Sequence, residues 1–398
     1  MGLGRYLPMP WRETTPMDER ARFIRDFDSE LFNFTELCRH YRISRKTGYE
    51  CLERYRALGD EGLADRSHAP RSCPHRTNPA IVEHLIAFKK KHRSWGPRKL
   101  IGELRKRQPH LPWPAPSTAG SILKQHGLVK SRRNRPHPGH PGQGDTPMDH
   151  PNAVWTADFK GQFKTRDGVY CYPLTIIDGF SRFLLACQAL PSTHHELVLP
   201  VFQRLFREFG LPDVIRTDNG SPFASQAIQR LSRLHVWWIK LGISPELILP
   251  AHPEQNGRHE RFHRTLKDAT VRPPSANLRA QQRAFDRFRS EFNLERPHEA
   301  LGQNPPGDFY LPSLRPFPRR IPEIVYPPHF EVRRVSRNGG VRWSSGWVNI
   351  SHVLSEEYIG FEEITCGVWS VYFGPMFLGR FDECNLKLFG SYPYNMPL

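Results

Sequence analysis

Val154-Trp155-Thr156-Ala157-Asp158-Phe159 and, further along, Asp213-Val214-Ile215-Arg216-Thr217-Asp218 are the stretches whose reading decides the fold. Each is a short apolar run of strand-forming residues with an aspartate in it or at its end. A carboxylate in such a place is costly unless it is paired or bound to a cation, which makes Asp158 and Asp218 candidate functional residues. Between the two runs, Asp167-Gly168 is a hairpin signal, and Tyr170–Ile177 and Phe183–Leu190 read as further strands. His194–Phe209 then repeats Leu197, Val201, Leu205 and Phe209 at helical spacing, and Gly210 ends it.

A third acid completes the pattern. Glu254 follows Asp218 after 35 residues, but it lies in Ala251-His252-Pro253-Glu254-Gln255-Asn256-Gly257, a loop composition. Glu260 follows that glycine, in Arg258–Lys267, which reads as a helix. There Glu260, Arg264 and Lys267 fall at i, i+4 and i+7 on one stripe, suited to holding a metal and a phosphate together. The local context favours Glu260. Other polar residues nearby have quieter readings: Asp178, with Ser181-Arg182, is expected in a structural turn, Trp237-Trp238 in the core, and Arg296-Pro297-His298 either at a helix cap or on DNA.

Working outward, two proline-rich basic stretches, 65–79 and 130–151, and a third break at 301–322 divide the chain of 398 residues. The expected domains are 15–65, 78–135, 150–305 and 320–398. In the first, Thr35 caps a short helix, Arg42-Ile43 turns, and Ser44 caps Arg45–Arg56, whose Gly48, Leu52 and Tyr55 share a face. Arg45, Lys46 and Tyr49 then point outward, a helix-turn-helix arrangement suited to the major groove, with an ordinary helical hairpin as the alternative. The second repeats the theme through Ile81, Leu85, Phe88, Leu100, Ile101 and Leu104, with Ser117 capping a last helix that Gly127 stops. Its basic arm, Arg132, Arg133 and Arg135, is suited to phosphates.

Charge agrees with a polyanion partner. Lys and Arg number 57 against 40 Asp and Glu, and the first 150 residues alone hold 28 against 16. No stretch approaches a membrane span, and the amino end has no apolar signal region, so a membrane partner is not expected. The seven cysteines are scattered and never spaced as C-x-x-C, which fits a reducing cytoplasm, with nucleoid association expected from DNA binding. The last segment is nearly neutral and rich in strand formers, including Val341–Trp343, Trp347–Ile350, Phe361–Ile364 and Trp369–Phe373. It reads as a small β-barrel for DNA or subunit contact, and its balanced charge weakens the DNA option.

WTAD at 155–158, IIDGFSR at 176–182, TDNGSPF at 217–223, HPEQNGRHERFHRTLK at 252–267 and FNLERPHEALGQNPP at 292–306 together resemble the catalytic core of retroviral integrases and bacterial insertion-sequence transposases. ISRKTGYECLERYR and GLADRSHAP are similar to the helix-turn-helix regions of such transposases. The resemblance implies an α/β RNase H-like core with a mixed sheet, helical amino-terminal domains and an SH3-like all-β end domain. It also implies Glu260 as the third catalytic acid, although 41 residues separate it from Asp218, more than in the retroviral enzymes.

Three converging carboxylates repel one another, and divalent cations relieve that repulsion. Two Mg²⁺ or Mn²⁺ ions per site are therefore expected, with Asp158 bridging, Asp218 on one ion and Glu260 on the other. Arg264 and Lys267 would hold phosphates. The expected function is a DNA transposase that binds terminal repeats, cleaves, and joins the freed 3′-hydroxyl to target DNA, acting as at least a dimer. A catalytically inactive sequence-specific DNA-binding protein is the alternative, and a ribonuclease of RNA–DNA hybrids explains the carboxylates but not the DNA-reading modules.

Overall fold

The computed structural model describes residues 15–65, 76–129, 146–248, 257–344 and 346–389. It divides into two compact units, Met1–Arg76 and Thr77–Leu398. The basic arm with Arg132, Arg133 and Arg135, and the loop with Glu254, lie outside the described residues.

The first unit is built from α1 (Pro16–Asp28), α2 (Phe34–His40) and α3 (Arg45–Leu58) around Phe23, Ile24, Leu37, Cys38 and Leu52. Ser44 caps α3 as expected, its Oγ accepting from the Thr47 amide at 3.1 Å. Asn33, not Thr35, caps α2, its side chain accepting from the Thr35 amide. Gly48 is required where α3 crosses α2, because a Cβ there would lie 2.9 Å from Cys38 Sγ and 3.0 Å from Phe34 Cζ. Arg45, Lys46 and Tyr49 are all exposed, Tyr49 with its ring stacked 4.2 Å from that of Phe34.

The second unit begins with α4 (Pro79–Lys91), α5 (Pro97–Arg107) and α6 (Pro116–Gln125), packed around Leu85, Trp95, Leu100 and Leu123. Pro116 starts α6, so Ser117 lies inside its first turn and caps nothing. The sheet that follows contains β1 (Val154–Phe159), β2 (Phe163–Lys164), β3 (Tyr170–Asp178), β4 (Leu184–Leu190), β5 (Val214–Thr217) and β6 (Ser244–Leu247). Its order is β4-β3-β1-β5-β6, with β2 forming a short hairpin on the start of β3. β1 runs antiparallel to β3 and parallel to β5, so the sheet is mixed.

Helices cover both faces. α7 (His195–Phe209) and α8 (Arg233–Lys240) bury Phe202, Phe206 and Trp238 against Trp155 and Ala157. α9 (Gly257–Thr270) and α10 (Leu278–Leu294) bury Phe262, Leu266, Phe285 and Phe288 against Cys171, Ile177, Leu184 and Cys187. Strand alternation does the rest: because Trp155 and Ala157 face α7 and α8, Asp158 faces the α9 side. Trp237 and Trp238 are core residues, as expected.

The carboxyl-terminal segment is all β. β7 (Glu331–Arg334), β10 (Tyr358–Thr365), β11 (Val368–Phe373), β12 (Met376–Asp382) and β13 (Lys387–Phe389) form one sheet, and β8 (Gly340–Trp343) pairs with β9 (Gly346–Asn349) in a hairpin. Their shared core takes in Leu231, Val236 and Ile239 from α8 and its approach, and Lys240 Nζ pairs with Glu357 at 2.8 Å. Among the described residues, no helix is long and apolar enough to cross a membrane.

Candidate active site

Ala157 of β1 is in register with Thr217 of β5, and the two strands run parallel. Asp158 and Asp218 are therefore the next residues along neighbouring chains that leave the sheet at the same end. Parallel strands lie about 4.8 Å apart, so register alone brings the two acids close. Asp218 is partly exposed; burial raises its pKa above the ordinary carboxylate value, and the Gly220 amide, donating to Oδ1 at 3.2 Å, works against that rise. Gly220 is held close: a Cβ there would stand 3.0 Å from Asp218 Oδ2.

Helix α9 reaches the same end of the sheet. His263 Nε2 is 2.9 Å from Thr175 Oγ1, and that hydroxyl donates to the Asp158 carbonyl at 3.0 Å. His263 Nδ1 stands 4.0 Å from Asp158 Oδ2. Burial, followed by the neighbouring His259 and Lys160, pushes the His263 pKa down to about 2, so the ring is neutral beside the carboxylate. Glu260 belongs to α9 one turn before His263. Arg264 is exposed and Lys267 half-buried on the same helix.

Two residues not singled out from the sequence stand here. One is His263. The other is Lys160, just past β1, whose ammonium pKa is lowered by burial and by Lys267 and supported by Asp158. Lys160 thus sets positive charge beside Asp158, and Lys267 stands close enough to Lys160 to act on it. Their signal in the sequence was faint: His263 lies amid the buried stripe of an amphipathic helix, and Lys160 follows the strand's last residue.

The donor set suits a hard divalent cation, with two carboxylates at adjacent strand ends, one carrying a charge that burial disfavours and a cation would restore. Among the described residues no group of three His, Cys, Asp or Glu side chains forms a metal cluster. Asp178 is a structural turn residue as expected: its carboxylate accepts from the Asn152 amide at 2.7 Å and from the Ser181 amide and hydroxyl at 2.8 and 2.6 Å. Arg296 is buried and donates to Ser94 Oγ at 3.0 Å.

Integrase core domain families match residues 148–253 and 241–306, a helix-turn-helix domain matches 19–71, and a homeodomain-like domain matches 47–123. The Gag-Pol polyprotein of baboon endogenous virus is 33% identical over 124 residues, which is 31% of this chain and 7% of that protein. The Pol polyprotein of feline endogenous virus ECE1 is also 33% identical, and the chain spans 11% of it. An uncharacterized 39.2 kDa protein of insertion element IS476 from Xanthomonas euvesicatoria is 27% identical over 272 residues, 67% of this chain and 75% of that one. Among solved structures, the HTLV-2 integrase catalytic core aligns with 41% of this chain and 98% of its own, at 16% identity and a TM-score of 0.32. Residues 148–306 are accordingly an integrase core domain, carried on a chain with helix-turn-helix domains whose homologues are insertion-element proteins and retroviral Pol proteins.

Proposed function

We propose that the protein is a DNA transposase that binds the ends of an insertion element and catalyses metal-dependent cleavage and strand transfer. The observation that carries this reading is the parallel register of Ala157 with Thr217, which sends Asp158 and Asp218 out of the same end of the sheet. Helix α9, bearing Glu260, is tied to that end through His263 and Thr175. Asp158, Asp218 and Glu260 would hold two Mg²⁺ or Mn²⁺ ions, with Asp158 shared between them. When bound, such ions activate an attacking oxygen and stabilise the leaving oxygen of an in-line displacement at phosphorus.

The chain's own side chains prepare this site. Thr175 and His263 fix the strand carrying Asp158, and Gly220 lets the Asp218 carboxylate sit against its own turn. Lys160, Arg264 and Lys267 offer positive charge to the phosphates of the element's end. The helix-turn-helix face with Arg45, Lys46 and Tyr49, and the basic arm with Arg132, Arg133 and Arg135, would read and hold double-stranded DNA. In this reading residues 15–65 and 78–135 bind DNA, 150–305 carry out the chemistry, and 320–398, as an SH3-like barrel, make DNA or subunit contacts. Two DNA ends with one site per chain require at least a dimer.

The test is Mg²⁺-dependent joining of a duplex from the DNA flanking the coding sequence to a plasmid. Asp158→Asn, Asp218→Asn and Glu260→Gln should each abolish joining while leaving binding of that duplex intact, and Glu254→Gln should stay active. An inactive Glu254→Gln beside an active Glu260→Gln would reverse the assignment of the third acid.

A further inference from the structure

Two consecutive residues, Gln229 and Arg230, tie the turn that carries Asp218 to the carboxyl-terminal domain. Asn219, next in sequence to Asp218, has both ends of its side-chain amide engaged. Its Nδ2 donates to the Ile248 carbonyl at 2.7 Å, and its Oδ1 accepts from Arg230 Nη1 at 3.0 Å. Ile248 follows β6, and its amide donates to the Thr217 carbonyl at 3.0 Å, so Asn219 bridges the end of the sheet and the short helical turn Ile228–Arg230. Gln229 makes the second tie, its Nε2 donating to the Phe377 carbonyl of β12 at 3.2 Å. Phe377 stands at a bulge, since β11 pairs Tyr372 with Phe377 but Val371 with Gly379.

The backbone of this turn is held in a conformation it would rarely adopt unaided. Gln229 and Arg230 both have positive φ, 52° and 54°, which residues with a Cβ keep only where their surroundings impose it. Those surroundings come from both domains. The Ser225 amide donates to the Arg230 carbonyl at 3.1 Å, and Ser225 Oγ donates to the Leu231 carbonyl. Leu231 is fully buried in one cluster with Phe373, Leu378 and Phe381 of the carboxyl-terminal sheet, and Ile228 packs against that cluster. Helix α8 continues the attachment through Val236, Ile239 and the Lys240–Glu357 pair.

We infer that Arg230 and Gln229 are positioning residues, through which the carboxyl-terminal β domain braces the Asp218 turn. This rests on the transposase reading and gives that domain a part in the reaction. Asp218 lies just past β5, where the strand ladder no longer fixes the chain, so what holds Asn219 holds the carboxylate beside it. Groups that orient a metal ligand without touching the ion matter nearly as much as the ligand. Arg230 is exposed, and a DNA phosphate is the competing use of its charge; its bond to Asn219 favours the brace.

The experiment uses the full chain, with Mn²⁺ binding followed by electron paramagnetic resonance and with joining, duplex binding and melting measured on the same preparations. Arg230→Met should weaken Mn²⁺ binding and lower the joining rate, each about tenfold, and excess metal should recover part of the rate. Arg230→Lys, which keeps a donor, should restore most of both. Gln229→Met should act in the same direction, and the double variant should do little more than Arg230→Met alone, because both residues fix one turn. Duplex affinity and its salt dependence should stay unchanged throughout. A slope of log K against log salt lowered by about 0.9 in Arg230→Met would make that residue a phosphate contact and overturn the brace. Unaltered Mn²⁺ binding in Arg230→Met would also overturn it, whatever the melting temperature does, and an inert Gln229→Met would remove the carboxyl-terminal domain from the effect. These failures leave the transposase reading intact, whereas an unaltered chain that does not join the duplex would sink that reading and this role with it.

Discussion

A Cβ on Gly220 would sit 3.0 Å from Asp218 Oδ2 and 3.4 Å from Oδ1, so alanine there must push the carboxylate aside by a few tenths of an ångström. Positioned catalysis is sensitive to such shifts, and a displacement near 1 Å costs on the order of 100-fold. Gly220→Ala is expected to lower the joining rate about tenfold or more with little change in melting temperature; equal rates would show that the Asp218 turn has slack. At this scale the sequence was legible where chemistry conflicted with environment. Asp158 and Asp218 stood out because acids are misplaced on apolar strands, and Asp178 because a turn with Ser181 satisfies it. His263 was illegible because nothing in a helical stripe distinguishes a packed imidazole from one leaning on a carboxylate. Lys160 is recognisable only once Lys267 is seen beside it.

Helix α9 owes its position to α10. Phe285 is fully buried in the cluster that joins Phe262 and Leu266 of α9 to Cys171 and Cys187 of the sheet. Phe285→Ala is expected to cost about 3–5 kcal/mol in denaturant unfolding and to reduce joining beyond what the unfolded fraction explains, because α9 loses its backing. The elements themselves were read well wherever periodicity was strong, as in α7 and β1. Boundaries failed where several capping residues stand together: Asn33 outcompeted Thr35, and Pro116 overrode Ser117. The missed strands have physical reasons too. β7 is Glu331-Val332-Arg333-Arg334, with no apolar alternation, and β12 is interrupted at Gly379, where φ is 154° and a register shift begins.

Across the whole molecule, stability should depend on acid. His235 is 2% exposed with its pKa pushed to about 4 by burial, and His298 is pushed to about 3. Both are neutral in the fold, whereas in an unfolded chain they take up protons near pH 6.5. Their contribution is therefore complete above about pH 6.5 and is lost as pH falls toward the folded values. Each should steepen the loss by up to about 1.4 kcal/mol per pH unit, checked by urea unfolding at pH 7 and pH 5. A profile flat across that interval would mean that these rings are hydrated.

The first unit has its own core and should fold alone, though so short a chain is marginal. Residues 15–76 are expected to give a helical circular dichroism spectrum and a cooperative but low-temperature melt. The break between the two units falls in the first proline-rich stretch, 65–79, which composition marks. The seating of the second helical module on the core was not legible, because polar pairs such as Arg98–Glu299 and Lys106–Asn304 leave no hydrophobic trace.

That seating has a consequence for distance measured along DNA. A reading head clamped to its cutter acts as a ruler, and a ruler on a double helix counts rotation as well as length. In the proposed reaction, inserting about five base pairs between the bound sequence and the reacting end would turn that end to the opposite side, while about ten would bring it round again. Joining should then fall and partly recover with helical phase, a rhythm that a loosely tethered module would not produce.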